Sequence, residues 1–366
     1  MGPEFEVELK VLALPKYGRN GASSRLRMFQ YFPLLESAGM GFTVVPLLPQ
    51  WYLDYIYARE SAGFQWLDFF KSFGLRLQKI LLGGDYDLIW IQGEIFPWLP
   101  AFAEDLLSFR KIPYVVDYDD AIFHRYDEHR SYLVRNLLGR KIETVMRKSA
   151  LVVAGNDYIA RKAELAGASQ VAVLPTVVDR DRYRPWETKR EQAPFTIGWI
   201  GSPSTSGYLE LVVPALRALR FTLNFKLLLI GSGPIDIPDI QVEYHPWSEE
   251  TEVDLLRHCD VGIMPLPDAP WERGKCGFKL IQYMACALPV IASPVGTNCH
   301  IVSHEKNGFL ASTAKDWEVY LRLLASDTAL REKLGEAGRV RVETDYSLQG
   351  CAPKLEKLFQ AVVGKG

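Results

Sequence analysis

Residues 271–292 carry two lysines, Lys275 and Lys279, in a loop with Gly274 and Gly277 that runs into a short helical period and then an apolar strand. Four residues apart on a helix or its first turn, two ammonium groups share one face near the positive end of the helix dipole, where like charges repel. A bound anion relieves that conflict. A diphosphate, gripped by ammonium groups and helix N-terminal amides, is the anion these residue types suit best. The plainer alternative is a solvated lysine pair balanced by Glu272.

A second cluster, Asp117-Tyr118-Asp119-Asp120, directly follows the apolar run 112–116. Carboxylates at the C-terminal end of a parallel strand lie where open α/β sheets bind ligands. Three acids this close repel unless a cation, a hydroxyl-rich ligand or the nearby His124 and Arg125 compensate. An N-cap combined with an Asx-turn is the structural alternative for two of them. The loop 15–25, with Gly18 and Gly21, separates a strand from a helical period and offers backbone amides to an anion, although its glycine spacing is not G-x-G-x-x-G. Two more loops follow apolar strands. The first, with Ser202 and Ser206, supplies hydroxyls without charge, and the second, with Gly231 and Gly233, permits close backbone approach.

Short apolar runs alternating with amphipathic segments must hold these loops, the pattern of parallel α/β units. Strands are predicted at 7–14, 42–47, 87–91, 113–116, 151–154 and 170–174, then at 196–200, 226–230, 242–244, 261–265 and 289–292. The charged, proline-bearing stretch 177–194 reads as a linker, which predicts domains at 6–194 and 195–346. Leu348, Leu355, Leu358 and Val362 predict a terminal helix within 347–366. The stretch 51–82 departs from this alternation: it is rich in aromatic residues, with Lys71, Arg76 and Lys79 among them. It predicts helix, either packed on its domain or facing a membrane or a lipid-linked substrate.

The chain has 366 residues, of which 48% are hydrophobic and 23% charged, with 42 basic against 44 acidic side chains. This is the composition of a soluble globular protein, and the charge balance argues against general nucleic-acid binding. Five cysteines without a C-x-x-C pair make a disulfide framework or a zinc site unlikely on spacing. The first five residues read as a cloning scar, not as a targeting signal. Apolar runs are too short to span a bilayer, so the expected location is cytoplasmic or peripheral at the inner membrane face.

Taken together, the run 274–302, the segment 174–179 and the strand and loop 229–234 resemble family 4 (group 1) of the nucleotide-sugar glycosyltransferases. The resemblance implies two facing Rossmann-like α/β domains in the GT-B arrangement, with a C-terminal helix crossing back to the first domain. It implies an acceptor-binding first domain and a second domain that binds the nucleotide diphosphate sugar. It further implies retention of anomeric configuration without a metal or other cofactor. Carried over by position, Gly18 falls near the donor phosphates, and Asp119-Asp120 replaces a His-Asp pair whose histidine approaches the donor sugar. Trp247 falls where members meet the base. Two glutamates eight residues apart in many members correspond here to Gly274 and Gln282. Gln282 is then left to hydrogen-bond a ribose hydroxyl, and Glu272 or the backbone of Gly274, Cys276, Gly277 and Phe278 to orient the sugar. An Arg and a Lys common after the strand at 196–200 are missing, and Lys275 and Lys279 are expected to restore that charge.

The resulting expectation is a retaining transfer of sugar to a hydroxyl of a glycan, glycolipid or small-molecule acceptor, of the kind used in cell-surface polysaccharide synthesis. Asp119, Lys275 and Lys279 are its catalytic candidates. Two alternatives stand beside it: a degenerate, non-catalytic sugar-nucleotide-binding protein, and a metal-dependent glycosyltransferase using Asp117 and Asp119 as a D-x-D pair.

Overall fold

The structure is a computed structural model that describes residues 9–49, 51, 52, 55, 65–82, 84–110, 112–185 and 194–364. The chain forms two compact units. One comprises Met1–Thr176, Gly274–Cys276 and Cys351–Gly366, and the other Val177–Arg273 and Gly277–Gly350.

In the first unit the strands are β1 (Leu9–Leu14), β2 (Met40–Val44), β3 (Leu88–Gln92), β4 (Tyr114–Tyr118), β5 (Leu151–Ala154) and β6 (Val171–Val173). They pair in parallel in the order β2-β1-β3-β4-β5-β6. The second unit has β7 (Phe195–Ile200), β8 (Phe225–Ile230), β9 (Val242–His245), β10 (Val261–Met264), β11 (Val290–Ala292) and β12 (Phe309–Leu310). Their order is β12-β11-β10-β7-β8-β9, again all parallel. Strands β3, β4, β5 and β7 are buried at every position, as expected where helices cover both faces of a sheet. The strand order reverses between β1 and β3 in one sheet and between β7 and β10 in the other. Such switch points open a crevice at the carboxyl ends of the strands.

Three expectations need adjustment. The units divide at Thr176, ahead of the linker read at 177–194. Val178 bridges Ser347, and Gln349 donates to Asp179 at 2.6 Å, which ties this stretch to the second unit. Residues 186–193 of that stretch lie outside the described residues. Strand β12 was not foreseen, because two residues are too few for any alternation to show. Asp117 is not in the loop after β4 but within the strand, and it is buried. The terminal helix Leu348–Val363 belongs to the first unit from Cys351 onward, and there Phe359 packs edge-on against Trp90 with ring centroids 5.0 Å apart.

Part of the aromatic stretch 51–82 lies outside the described residues; the rest includes the helix Trp66–Leu82. Arg76 is fully buried on its inner face and donates to the carbonyls of Ile95 (3.2 Å), Val45 (2.7 Å) and Pro15. Burial lowers its guanidinium to about 9, with Glu104 opposing the shift. Trp66, Leu67 and Phe70 of the same helix remain exposed.

Candidate functional site

The second unit gathers its polar groups around the switch point between β7 and β10. Helix Phe278–Ala285 follows β10 and is set on the sheet by Tyr283. The Ile200 amide at the end of β7 donates to Tyr283 Oη at 2.9 Å, and that hydroxyl donates to the Ile263 carbonyl of β10 at 3.3 Å. One turn earlier, Lys279 lays its ammonium over the buried Trp199 ring, 3.9 Å from the centroid, and 3.5 Å from Thr205 Oγ1. Cation–π attraction of this kind holds a lysine against a face that a water-seeking ammonium would otherwise leave. Gly201 makes the position available, since a Cβ there would stand 2.5 Å from both Lys279 Nζ and Trp199 Cη2. A cation therefore stands at the loop after β7, where the sequence has no charge of its own.

Around this ammonium the loop after β7 continues as a 3-10 helix, Pro203–Leu211. Ser202 and Ser206 are occupied locally: Ser202 Oγ meets Ser204 Oγ at 2.8 Å, and Ser206 Oγ donates to the Pro203 carbonyl at 2.9 Å. Gly231, with φ +79°, has no room for a side chain between Gly201 O (2.7 Å) and Trp247 Cβ (2.9 Å), and Gly233 completes the same turn. Glu272 is buried and accepts from Tyr208 Oη. Gly277 (φ +68°) caps the helix, and Phe278 packs partly buried on the core.

Behind Trp247 lies a network whose members the sequence did not connect. Glu252 is 1% exposed, and its carboxylate accepts from Arg182 Nη2, Tyr183 Oη and Trp247 Nε1, each at 2.7 Å. Gln282 Nε2 adds bonds to Tyr183 Oη at 3.0 Å and to Glu252 Oε2 at 3.3 Å. Burial and the facing Glu252 carboxylate push the Tyr183 phenol well above its ordinary range. The Gln282 amide nitrogen, expected to face a ribose, is thus spent on this buried cluster.

In the first unit the rim is built on Gln92 at the end of β3. Its Oε1 accepts from the Lys16 amide (2.9 Å) and Ser24 Oγ (2.6 Å), and its Nε2 donates to Ser23 Oγ at 2.7 Å. Ser23 Oγ in turn donates to Asp119 Oδ2. Gly18 lies in this loop with open space where a Cβ would stand. Desolvation raises Asp120 to about 6, and neighbouring Asp119 adds to the rise while Lys275, Arg125 and Lys16 oppose it. Lys16 is lowered to about 8 by burial and by Arg125.

Asp117 belongs to a different layer. Arg27 grips its carboxylate through Nε (2.7 Å) and Nη2 (3.1 Å) and also donates to the Leu174 carbonyl at 2.9 Å. Burial pushes the Asp117 carboxyl up to about 6 with Arg27 working against the rise. A D-x-D ligand pair of Asp117 and Asp119 is therefore not assembled: one oxygen pair is taken by Arg27, and Asp119 turns to Ser23. Among the described residues no group of three His, Cys, Asp or Glu side chains is disposed to hold a metal ion.

The lysine pairing also needs correction. The helix begins only at Phe278, so Lys275 lies outside it and the two lysines share no helical face. The segment Gly274–Cys276 belongs to the first unit, where Asn156 Nδ2 donates to the Gly274 carbonyl at 2.8 Å and Lys275 acts on Asp120. Cys276 is a half-buried cysteine. Sequence reasoning passed over Lys16, Arg27, Gln92, Tyr183, Glu252 and Tyr283. Their roles depend on partners distant in sequence; the one local signal was a polar Gln92 ending an apolar strand.

Comparison with known proteins places these features. Residues 194–327 match the family described as glycosyl transferases group 1. The capsular polysaccharide biosynthesis glycosyltransferase CapM of Staphylococcus aureus is 28% identical over 173 residues, covering 45% of this chain and 46% of that protein. N-acetyl-alpha-D-glucosaminyl L-malate synthase of Bacillus anthracis is 24% identical over 158 residues, 42% of either chain. The matches thus span less than half the length of these curated relatives. Among solved structures, sucrose-phosphate synthase from Thermosynechococcus elongatus superposes with a TM-score of 0.69 at 14% identity, covering 98% of this chain and 100% of that one. HepE of Anabaena, solved in complex with UDP-glucose, gives 0.65 at 16% identity over 96% of this chain and 100% of its own. The two parallel-sheet units are those of the GT-B fold.

Proposed function

We propose, for a chain whose residues 194–327 are a group 1 glycosyl transferase domain, that the protein moves a sugar from a nucleotide diphosphate sugar to a hydroxyl of a glycan, glycolipid or small-molecule acceptor. The donor is assigned to the second unit and the acceptor to the first. The observation that carries this reading is the Lys279 ammonium at the β7–β10 switch point, beside the Gly201 and Gly231 turns. As the glycosidic bond breaks, the nucleoside diphosphate gathers negative charge. A preorganised ammonium and the amides opening helix Phe278–Ala285 stabilise that charge without reorganisation. Transfer proceeds with retention and without a metal, and the leaving phosphate oxygen accepts the acceptor's proton. Trp247, held through Nε1 by Glu252, serves the nucleobase. The likeness to CapM, a capsular polysaccharide biosynthesis glycosyltransferase, supports a surface-polysaccharide acceptor.

The test is a thermal-shift panel of UDP, GDP, ADP and dTDP with their sugars, followed by transfer assays with and without EDTA. A diphosphate-dependent shift with chelator-insensitive transfer is expected. Loss of transfer in EDTA points to the metal-dependent alternative, and binding without transfer over a broad acceptor panel points to the non-catalytic one. The exposed Trp66, Leu67 and Phe70 are assigned to a lipid surface at the inner membrane face. Sedimentation with anionic vesicles, weakened by Phe70→Ser, is the corresponding measurement; equal sedimentation of the variant refutes it. No helix among the described residues is long and apolar enough to cross a membrane.

A further inference from the structure

Trp98 stands in the loop after β3 with φ +65°, a left-handed backbone that bulky residues rarely adopt, and its side chain is 53% exposed. Three buried side chains hold it there. Its amide donates to Tyr126 Oη at 3.1 Å, and Tyr126 Oη donates to the Glu94 carboxylate at 2.8 Å. Lys141 pairs with Glu94 and donates to the Phe96 carbonyl at 2.6 Å. Glu94, Tyr126 and Lys141 are each at most 5% exposed. A buried ion pair of this kind costs desolvation, and a strained backbone persists only where its surroundings enforce it. Both costs are met to hold one indole in the open.

The indole meets Tyr126 edge-on at 5.2 Å and His129 at 5.7 Å. His129 Nδ1 accepts from the Ser131 amide at 3.0 Å, so in the neutral ring Nε2 carries the proton and is a hydrogen-bond donor. The loops after β3 and β4 leave adjacent parallel strands at the same rim as Asp119 and Asp120, and Lys16 feels Glu94 and both aspartates together.

We infer that Trp98, with His129 at its edge, is an acceptor subsite on which the C–H face of a hexopyranose ring stacks. The inference rests on the acceptor reading of the first unit given above. Polarised C–H bonds on one face of a pyranose meet the negative π face of an indole, and a donor at the ring's edge takes a hydroxyl. A lipid surface, in contrast, requires no fixed indole orientation, which separates this site from the aromatic face of helix Trp66–Leu82.

Saturation-transfer difference NMR with methyl glucoside, galactoside, mannoside and N-acetylglucosaminide tests it on the full chain. Ring-proton signals from at least one glycoside are expected with the wild type, reduced about fivefold in Trp98→Ala and largely kept in Trp98→Tyr and Trp66→Ala. Trp98→Gly, which suits the left-handed backbone, guards against misfolding and is expected to behave as Trp98→Ala. Absence of signal from all four glycosides, equal signals in every variant, or loss of anionic-vesicle binding in Trp98→Ala with glycoside signals intact would overturn the proposal. The UDP-dependent thermal shift, measured on the same samples, reports the donor reading separately and is expected to be equal in wild type and Trp98→Ala.

Discussion

Gln282 Nε2 lies 3.3 Å from Glu252 Oε2, so position 282 supplies a donor to a carboxylate that is 1% exposed. A glutamate at 282 would set two buried carboxylates against each other. Gln282→Glu is expected to destabilise the protein by about 2–4 kcal/mol at pH 7.5. One of the two carboxyls would then titrate higher in the folded state than in the unfolded one, so the deficit shrinks as the pH falls from about 7 to about 4. Urea denaturation across pH reads this, and a pH-independent deficit contradicts it.

Lys279→Ala removes the ammonium over Trp199. A charge-assisted contact to phosphate is worth about 1.5–3 kcal/mol, so diphosphate affinity is expected to fall roughly 10- to 100-fold with the far-UV spectrum unchanged. Isothermal titration with UDP measures it; an unaltered affinity removes Lys279 from the donor site.

Asp120 titrates at about 6 in the folded chain against an unfolded value of 3.8. The fold therefore favours its neutral form, and stability is lost as the pH rises from about 4 through 6. Asp120→Asn is expected to raise Tm at pH 7.5 and to lose that gain by pH 4. A gain that persists at pH 4 shows that the carboxylate charge is not its source.

Removing Arg27 leaves Asp117 buried beside a cavity. Arg27→Met is expected to cost about 3–5 kcal/mol, and the double variant Arg27→Met/Asp117→Leu to recover a large part of it. Chemical denaturation of the single and double variants forms the required cycle, and additive losses argue against a coupled pair.

The sheet architecture was legible because parallel strands buried on both faces read as unbroken apolar runs: Leu151–Ala154 was located to the residue. Boundaries failed where pattern is weak. Asp117 interrupts an apolar run and so read as loop, yet the ladder continues through it because Arg27 neutralises it inside the core. The candidate site was half legible. Lys279 and the glycine turns announced themselves by type and spacing. The helical pairing of Lys275 with Lys279 did not survive, since Gly277 caps the helix between them. Glu252 and Tyr183 gave no signal, because their meaning comes only from meeting Gln282 and Trp247 in space.

Arg76 bears on more than its three carbonyl acceptors. The helix that carries it cannot roll about its long axis without dragging a guanidinium off all of them at once. Which rings of the helix point outward, Trp66 and Phe70 among them, is thus dictated by a residue on its buried side. Rotational register on this surface is set from beneath, and altering Arg76 would turn the outer aromatics without changing any of them.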